Sequence, residues 1–115
     1  MGKNFSKTGT RGVSMKIDTA NFLQDTRGIT IIEAYKGQGG QFEYLSLKLC
    51  REMFQTFADV LQLIKSYFVK YNAKKICMIP DLGVMALFVG YAVCVTATRA
   101  HTEEIMVTIN TYIFA

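Results

Sequence analysis

Lys36 stands directly before Gly37, with Gly39 and Gly40 close behind, in the stretch AYKGQGGQFEYLSLKLC over residues 34–50. A lysine among clustered glycines is the composition of a phosphate cradle, in which backbone N–H groups surround the anion and the ammonium meets its charge. That chemistry needs the glycines to open a helix, whose N-terminus supplies free N–H groups and the positive end of a dipole. Here they open a strand. From Gln41 to Cys50, Leu45, Leu47 and Leu49 fall on one face and Phe42, Tyr44, Ser46 and Lys48 on the other. The preceding Ile29 to Tyr35 is rich in β-branched and aromatic residues and also reads as a strand. Gly37, Gly39 and Gly40 are therefore expected to supply positive φ angles in a hairpin loop.

Other chemistry-bearing residues are sparse. Cys50, Cys77 and Cys94 lie far apart in apolar stretches, no CxxC pair occurs, and His101 is the single histidine. Neither a zinc site nor a disulfide framework is indicated. Buried, reduced thiols in an intracellular protein of the cytoplasm or nucleus are expected, since free cysteine usually behaves as a small hydrophobe. A cysteine and His101 could be paired on paper, but no acid–base pair, metal set or activated nucleophile follows from spacing. The expectation is a protein without enzymatic activity, cofactor or metal.

Charge is more informative. Residues 1–75 carry twelve Lys and Arg against six Asp and Glu, whereas residues 76–115 carry Arg99 against Asp81, Glu103 and Glu104. The balances are +6 and −2, which sum to the net +4. Lys3, Lys7, Arg11 and Lys16 precede the first acid, Asp18, so the N-terminus reads as a basic arm suited to nucleic acid or an anionic membrane surface. The opening MGKNFS also fits the pattern for myristoylation at Gly2, with the arm as the second, electrostatic membrane signal.

These residues need a scaffold, and 115 residues allow one domain, or one domain with an appendage. Residues 1–12 lack periodicity and read as a flexible basic arm. VSMKID and NFLQ, between Val13 and Gln24, look strand-like, and QDTRG turns the chain into ITIIEAYK. After Arg51 the period changes. Met53, Phe54, Phe57, Val60, Leu61, Ile64 and Phe68 describe the apolar face of a helix of about five turns. Asn72, Lys74 and Lys75 mark its end.

The fold class expected is α+β: an antiparallel sheet covered on one face by one long amphipathic helix, followed by additional C-terminal strands. Residues 13–75 form the sheet-plus-helix unit. The sheet's other face stays open, with Phe42, Tyr44 and Lys48 placed so that bases stack on the rings and the cation meets the backbone. Alternatively, those aromatics pack on a partner subunit or under the C-terminal segment.

Residues 76–115 read as an apolar β segment that completes the sheet or mediates dimerisation. LGVMALFVGYAVCVTAT, Leu82 to Thr98, has no charge over seventeen residues, which touches the lower limit for a membrane-spanning helix. Its Gly83, Gly90, valines and threonines favour a buried strand instead. Ile105, Val107, Ile109 and Ile113 alternate with Thr108, Asn110 and Tyr112 as a second strand, and TRAHTEE connects the two.

The stretch FLQDTRGITIIEAYKGQGGQFEYLSLKLCREMFQTFADVLQLIKSYF resembles a PUR repeat, the ββββα unit of the purine-rich element binding proteins. The likeness rests on the basic turn ending at Gly28, the I-x-I-x-E strand ending at Glu33, the glycine hairpin, the L-x-L strand, and Phe54 and Phe57 in the helix. Positive-cofactor-like and Whirly-like single-strand binders share that strand order. The resemblance implies binding of single-stranded DNA or RNA, often purine-rich, on the sheet face, and a homodimer intertwined through helices. Carried over by position, it assigns the nucleic acid to Lys16, Arg27, Lys36, Phe42, Tyr44 and Lys48, with Lys3, Lys7 and Arg11 as the basic arm. Residues 76–115 depart from the pattern because they contain no second helix. A structural or assembly subunit with self-associating C-terminal strands is the alternative function.

Overall fold

The computed structural model describes residues 17–37, 42–50, 52–53, 56–79, 82–99 and 104–114. In chain order these form α1 (Thr19–Asp25), β1 (Ile29–Lys36), β2 (Phe42–Leu49), α2 (Phe57–Lys70), β3 (Lys75–Ile79), β4 (Gly83–Phe88), β5 (Tyr91–Arg99) and β6 (Glu104–Ile113). The strands make one six-stranded antiparallel sheet in the order β1-β2-β6-β5-β4-β3. The class is α+β, and among the described residues two strands, β1 and β2, precede the long helix; Val13 to Lys16 of the strand-like VSMKID lie outside them. Because β6 enters between β2 and β5, strands from before and after α2 share one sheet.

The first departure from the expected elements is α1, a helix where NFLQ suggested strand. Asp18 starts it: its carboxylate accepts the Asn21 N–H at 2.9 Å, satisfying a donor that the first turn leaves free. Leu23 is fully buried on the inner side of this helix. The Asp18 N–H in turn donates to the Tyr67 hydroxyl at 3.0 Å, and the Phe22 ring stacks on Tyr67 with centroids 4.0 Å apart. These contacts fix α1 beside α2. Burial pushes the Tyr67 hydroxyl pKa up from its ordinary value.

β1 and β2 form the expected hairpin. Gly37, however, does not adopt a positive φ. Its role is close approach: a Cβ there would lie 3.0 Å from the Phe42 Cβ, beside the 2.6 Å bond from the Gly37 N–H to the Phe42 carbonyl. Gly39 and Gly40 lie outside the described residues. The two strands pair with a bulge between Ile31 and Glu33. The extra residue reverses the alternation of β1, so Ile29, Ile31, Ala34 and Lys36 share one side while Thr30, Glu33 and Tyr35 share the other.

α2 begins at Phe57, later than its apolar stripe suggests. The Asp59 carboxylate accepts the Thr56 N–H at 3.0 Å, which sets the boundary and leaves Met53 in a turn. The helix ends at Lys70 with Tyr71 as its cap, and Asn72, expected to mark the end, follows with a φ of 64°, a left-handed conformation that Asn tolerates. Val60, Leu61, Ile64, Tyr67 and Phe68 are buried along it.

Residues 82–98 form two strands, not one. The chain reverses at Val89 and Gly90, where Gly90 takes a φ of 86° that a side chain would oppose. No helix among the described residues is long and apolar enough to cross a membrane.

Both helices lie on one side of the sheet, α1 against β1 and α2 against β4 and β5. The core between the layers joins Leu23, Val60, Ile64 and Phe68 to Leu45, Leu47, Val84, Val93, Val95, Val107 and Ile109. Phe68 meets Phe88 edge to face at 5.7 Å, and Phe88 stacks on Tyr91 at 5.0 Å, closing the core near the β4–β5 turn.

Candidate nucleic-acid interface

The face turned away from the helices carries no element among the described residues. Strand register assigns its side chains. Tyr35 stands opposite Tyr44, Tyr44 opposite Thr108, and Thr108 opposite Thr96. In the next row Phe42 faces Asn110, followed by Cys94, Met85 and Cys77 across β5, β4 and β3. Tyr112 lies on the same side of β6, two residues beyond Asn110.

Four rings therefore gather on one end of the β1–β2–β6 half of the sheet. Tyr35 and Tyr112 are 58% and 55% exposed, Phe42 is 37% exposed, and Tyr44 is half-buried. Tyr35 and Phe42 meet at 61° with centroids 6.1 Å apart. An edge-to-face pair of this kind leaves a ring face for a stacking ligand.

Farther along β2, Lys48 is exposed on the same side, between Thr30 on β1 and Glu104 on β6. The Ser46 hydroxyl donates to Glu104 Oε1 at 2.9 Å, and Glu33 stands opposite Ser46. Among described residues on this side of β1, β2 and β6, Lys48 is the one cation beside two carboxylates. Arg27, exposed in the turn before β1, lies at the same end as Lys48, because the Cys50 N–H bonds the Gly28 carbonyl at 2.8 Å. The strand separates cations from rings by about 20 Å, at ~3.4 Å per residue from Phe42 to Lys48.

Of the residues carried over from the resemblance, Phe42, Tyr44 and Lys48 thus share a surface, with Arg27 at its margin. Lys36 does not join them. The bulge turns it to the helix side, where its ammonium lies 3.6 Å from the Glu43 carboxylate. There it borders a cleft of about 280 Å³ shared with Asp18, Asn21, Gln24 and Glu43. Burial, then the nearby Asp18 carboxylate, pushes the Glu43 pKa up, and Lys36 opposes the shift. Lys3, Lys7, Arg11, Lys16 and the Gly2 acylation signal lie outside the described residues.

Sequence alternation missed Tyr35, because the bulge reverses the phase before it reaches that residue. Tyr112 was visible as part of an alternating strand, but only the placement of β6 beside β2 brings it to this surface. The thiols differ from expectation as well. Cys50, Cys77 and Cys94 are all free, but Cys50 and Cys77 are exposed and Cys94 is half-buried, with burial pushing its thiol pKa up. No group of His, Cys, Asp and Glu among the described residues is arranged to hold a metal ion.

No family model, curated protein or solved structure matches the chain.

Proposed function

We propose that the protein is a non-enzymatic binder of single-stranded DNA or RNA, using the open face of β1, β2 and β6. One observation carries this reading: Tyr35, Phe42, Tyr44 and Tyr112 cluster on a sheet face that neither helix covers. Stacked bases supply affinity there without sequence preference, at about 1–3 kcal/mol per base. Lys48 and Arg27 meet phosphates at the other end of β2, and the basic arm adds contacts that salt screens. Purine-rich strands are the first substrates to examine, because purines offer the larger stacking surface.

Fluorescence anisotropy of the protein with a purine-rich strand, a pyrimidine strand and a duplex, at two salt concentrations, tests the proposal. Salt-sensitive binding that favours single strands is the expected result. Absence of binding at low salt contradicts it.

A second reading is favoured by the other half of the same face. Ile79, Met85 and Leu87 are exposed on β3 and β4, and their side chains share the face with Cys77. Aliphatic surface of this kind marks a protein contact more often than a polyanion site. It supports self-association, with assembly as a role of the C-terminal strands.

A further inference from the structure

One end of the molecule brings together a hairpin tip, a strand end and a helix-to-strand connection. The β4–β5 hairpin turns at Val89 and Gly90, closed by the pair Phe88 and Tyr91. β6 finishes beside it, with Ile113 opposite Tyr91 and the Phe114 N–H bonded to the Gly90 carbonyl at 2.8 Å. The connection from α2 to β3 arrives at the same end, because the Lys74 N–H bonds the Leu87 carbonyl at 2.7 Å and Lys75 pairs with Leu87.

Val89 is 77% exposed, more than any other large apolar side chain among the described residues, and Leu87, Ile113 and Phe114 near it are exposed too. Apolar side chains at a hairpin apex project into solvent, so packing within the chain does not account for them. Around them stand Lys70, Lys74 and Lys75, all exposed. The Lys70 ammonium lies 5.9 Å from the centre of the exposed Tyr71 ring. Residues 69–79, 82–99 and 105–114, which build this end and the strands leading to it, contain no Asp or Glu. Asp18 and Glu43 are set back from it, the first bonded through its N–H to the Tyr67 hydroxyl and the second paired with Ile109. The end is therefore apolar at its tip and positive at its rim.

We propose that this end is a docking surface for an anionic lipid membrane. Val89, Ile113 and Phe114 enter between the headgroups, while Lys70, Lys74 and Lys75 meet the lipid anions and lay their methylene stems along the apolar surface. Tyr71 suits the boundary, since its ring is apolar and its hydroxyl polar. Charge complementarity and the tip together select the occupant. A nucleic acid would also meet the lysines, but it offers the projecting aliphatic side chains nothing apolar to enter. An anionic bilayer supplies both partners. Membrane docking here does not require single-strand binding, and either can fail alone.

The test is co-sedimentation of the purified full chain with phosphatidylcholine vesicles, with and without phosphatidylserine. Binding that requires phosphatidylserine and weakens with salt is expected. Val89→Glu should reduce affinity by about tenfold or more, because the tip no longer enters, and leave the far-UV circular dichroism spectrum unchanged. Lys74→Gln with Lys75→Gln should cost about fivefold per lysine. The N-terminal basic residues remain in every variant, so these losses identify the tip. The chain has no tryptophan, so Val89→Trp introduces a single reporter. Its emission should shift to the blue and be quenched by brominated lipid. Met53→Trp, in the turn before α2 at the opposite end, should show neither change. Absence of sedimentation with phosphatidylserine vesicles overturns the proposal. So does binding that Val89→Glu and the lysine changes leave intact, or a Val89→Trp reporter that stays in water while the protein binds. A dimer that forms without lipid and is dissociated by Val89→Glu would assign the tip to a second copy and overturn membrane docking likewise.

Discussion

The two sides of the sheet are made by the same strands, yet they obey different constraints. On β2, Leu45 and Leu47 are buried under the helices, while Phe42 and Lys48 remain exposed on the reverse. On β6, Ile105, Val107 and Ile109 are buried, and Met106, Thr108 and Asn110 between them are only partly so. The helix side is uniform in chemistry because close packing selects apolar side chains by volume and shape. The open side mixes rings, hydroxyls, thiols and amides, which no core requirement explains. Residues free of the packing constraint are where binding can reside, provided that changing them alters recognition and spares the fold.

Phe68→Ala should produce the largest stability change. The ring is fully buried against Phe88, so its loss should destabilise the protein by about 3–5 kcal/mol in chemical denaturation. A much smaller loss would mean that the helix layer is not the stabilising one. The complementary change is Phe42→Ala with Tyr44→Ala on the open side. Single-strand affinity should fall by about 1–3 kcal/mol per base no longer stacked, while the denaturation midpoint moves far less than in Phe68→Ala. Retained affinity would remove stacking on these rings from the account.

Asp18→Ala should cost about 0.5–2 kcal/mol of stability, because α1 loses the side chain that caps it. Single-strand affinity should not change, since the cap lies on the helix side. Reduced affinity would connect the two sides through α1.

The smallest effect concerns Glu43. Its folded-state pKa lies above the unfolded value, so protonation favours the fold. The stabilising contribution is present below the unfolded pKa and is lost as pH rises through the raised folded pKa. Glu43→Gln should flatten that part of the stability profile, measured by thermal melts from acid to neutral pH. An unaltered profile would show that the carboxyl is not penalised by its burial.

Much of this arrangement was legible in the residues. The leucine alternation on β2 identified which side chains enter the core, and the three-to-four spacing of Val60, Leu61, Ile64 and Phe68 identified α2. Those signals survive because burial imposes a period. What failed depended on single hydrogen bonds and register. One Asp18 contact turns a strand-like segment into α1, Thr56 and Asp59 move the start of α2, and Gly90 divides one apolar run into two strands. The bulge at Ile32 brings Tyr35 to the open face and removes Lys36 from it. Alternation cannot reveal that exchange, because it needs knowledge of which residue on β2 each residue of β1 meets.

The most direct test of the central claim is a titration of the isotopically labelled protein with a purine-rich single strand, followed by amide chemical shifts. Perturbations centred on Tyr35, Phe42, Tyr44, Lys48 and Tyr112, with α2 little affected, are the result the open-face account predicts. Shifts centred on the helices or on the Lys36–Glu43 cleft, or none under saturating conditions, would contradict it.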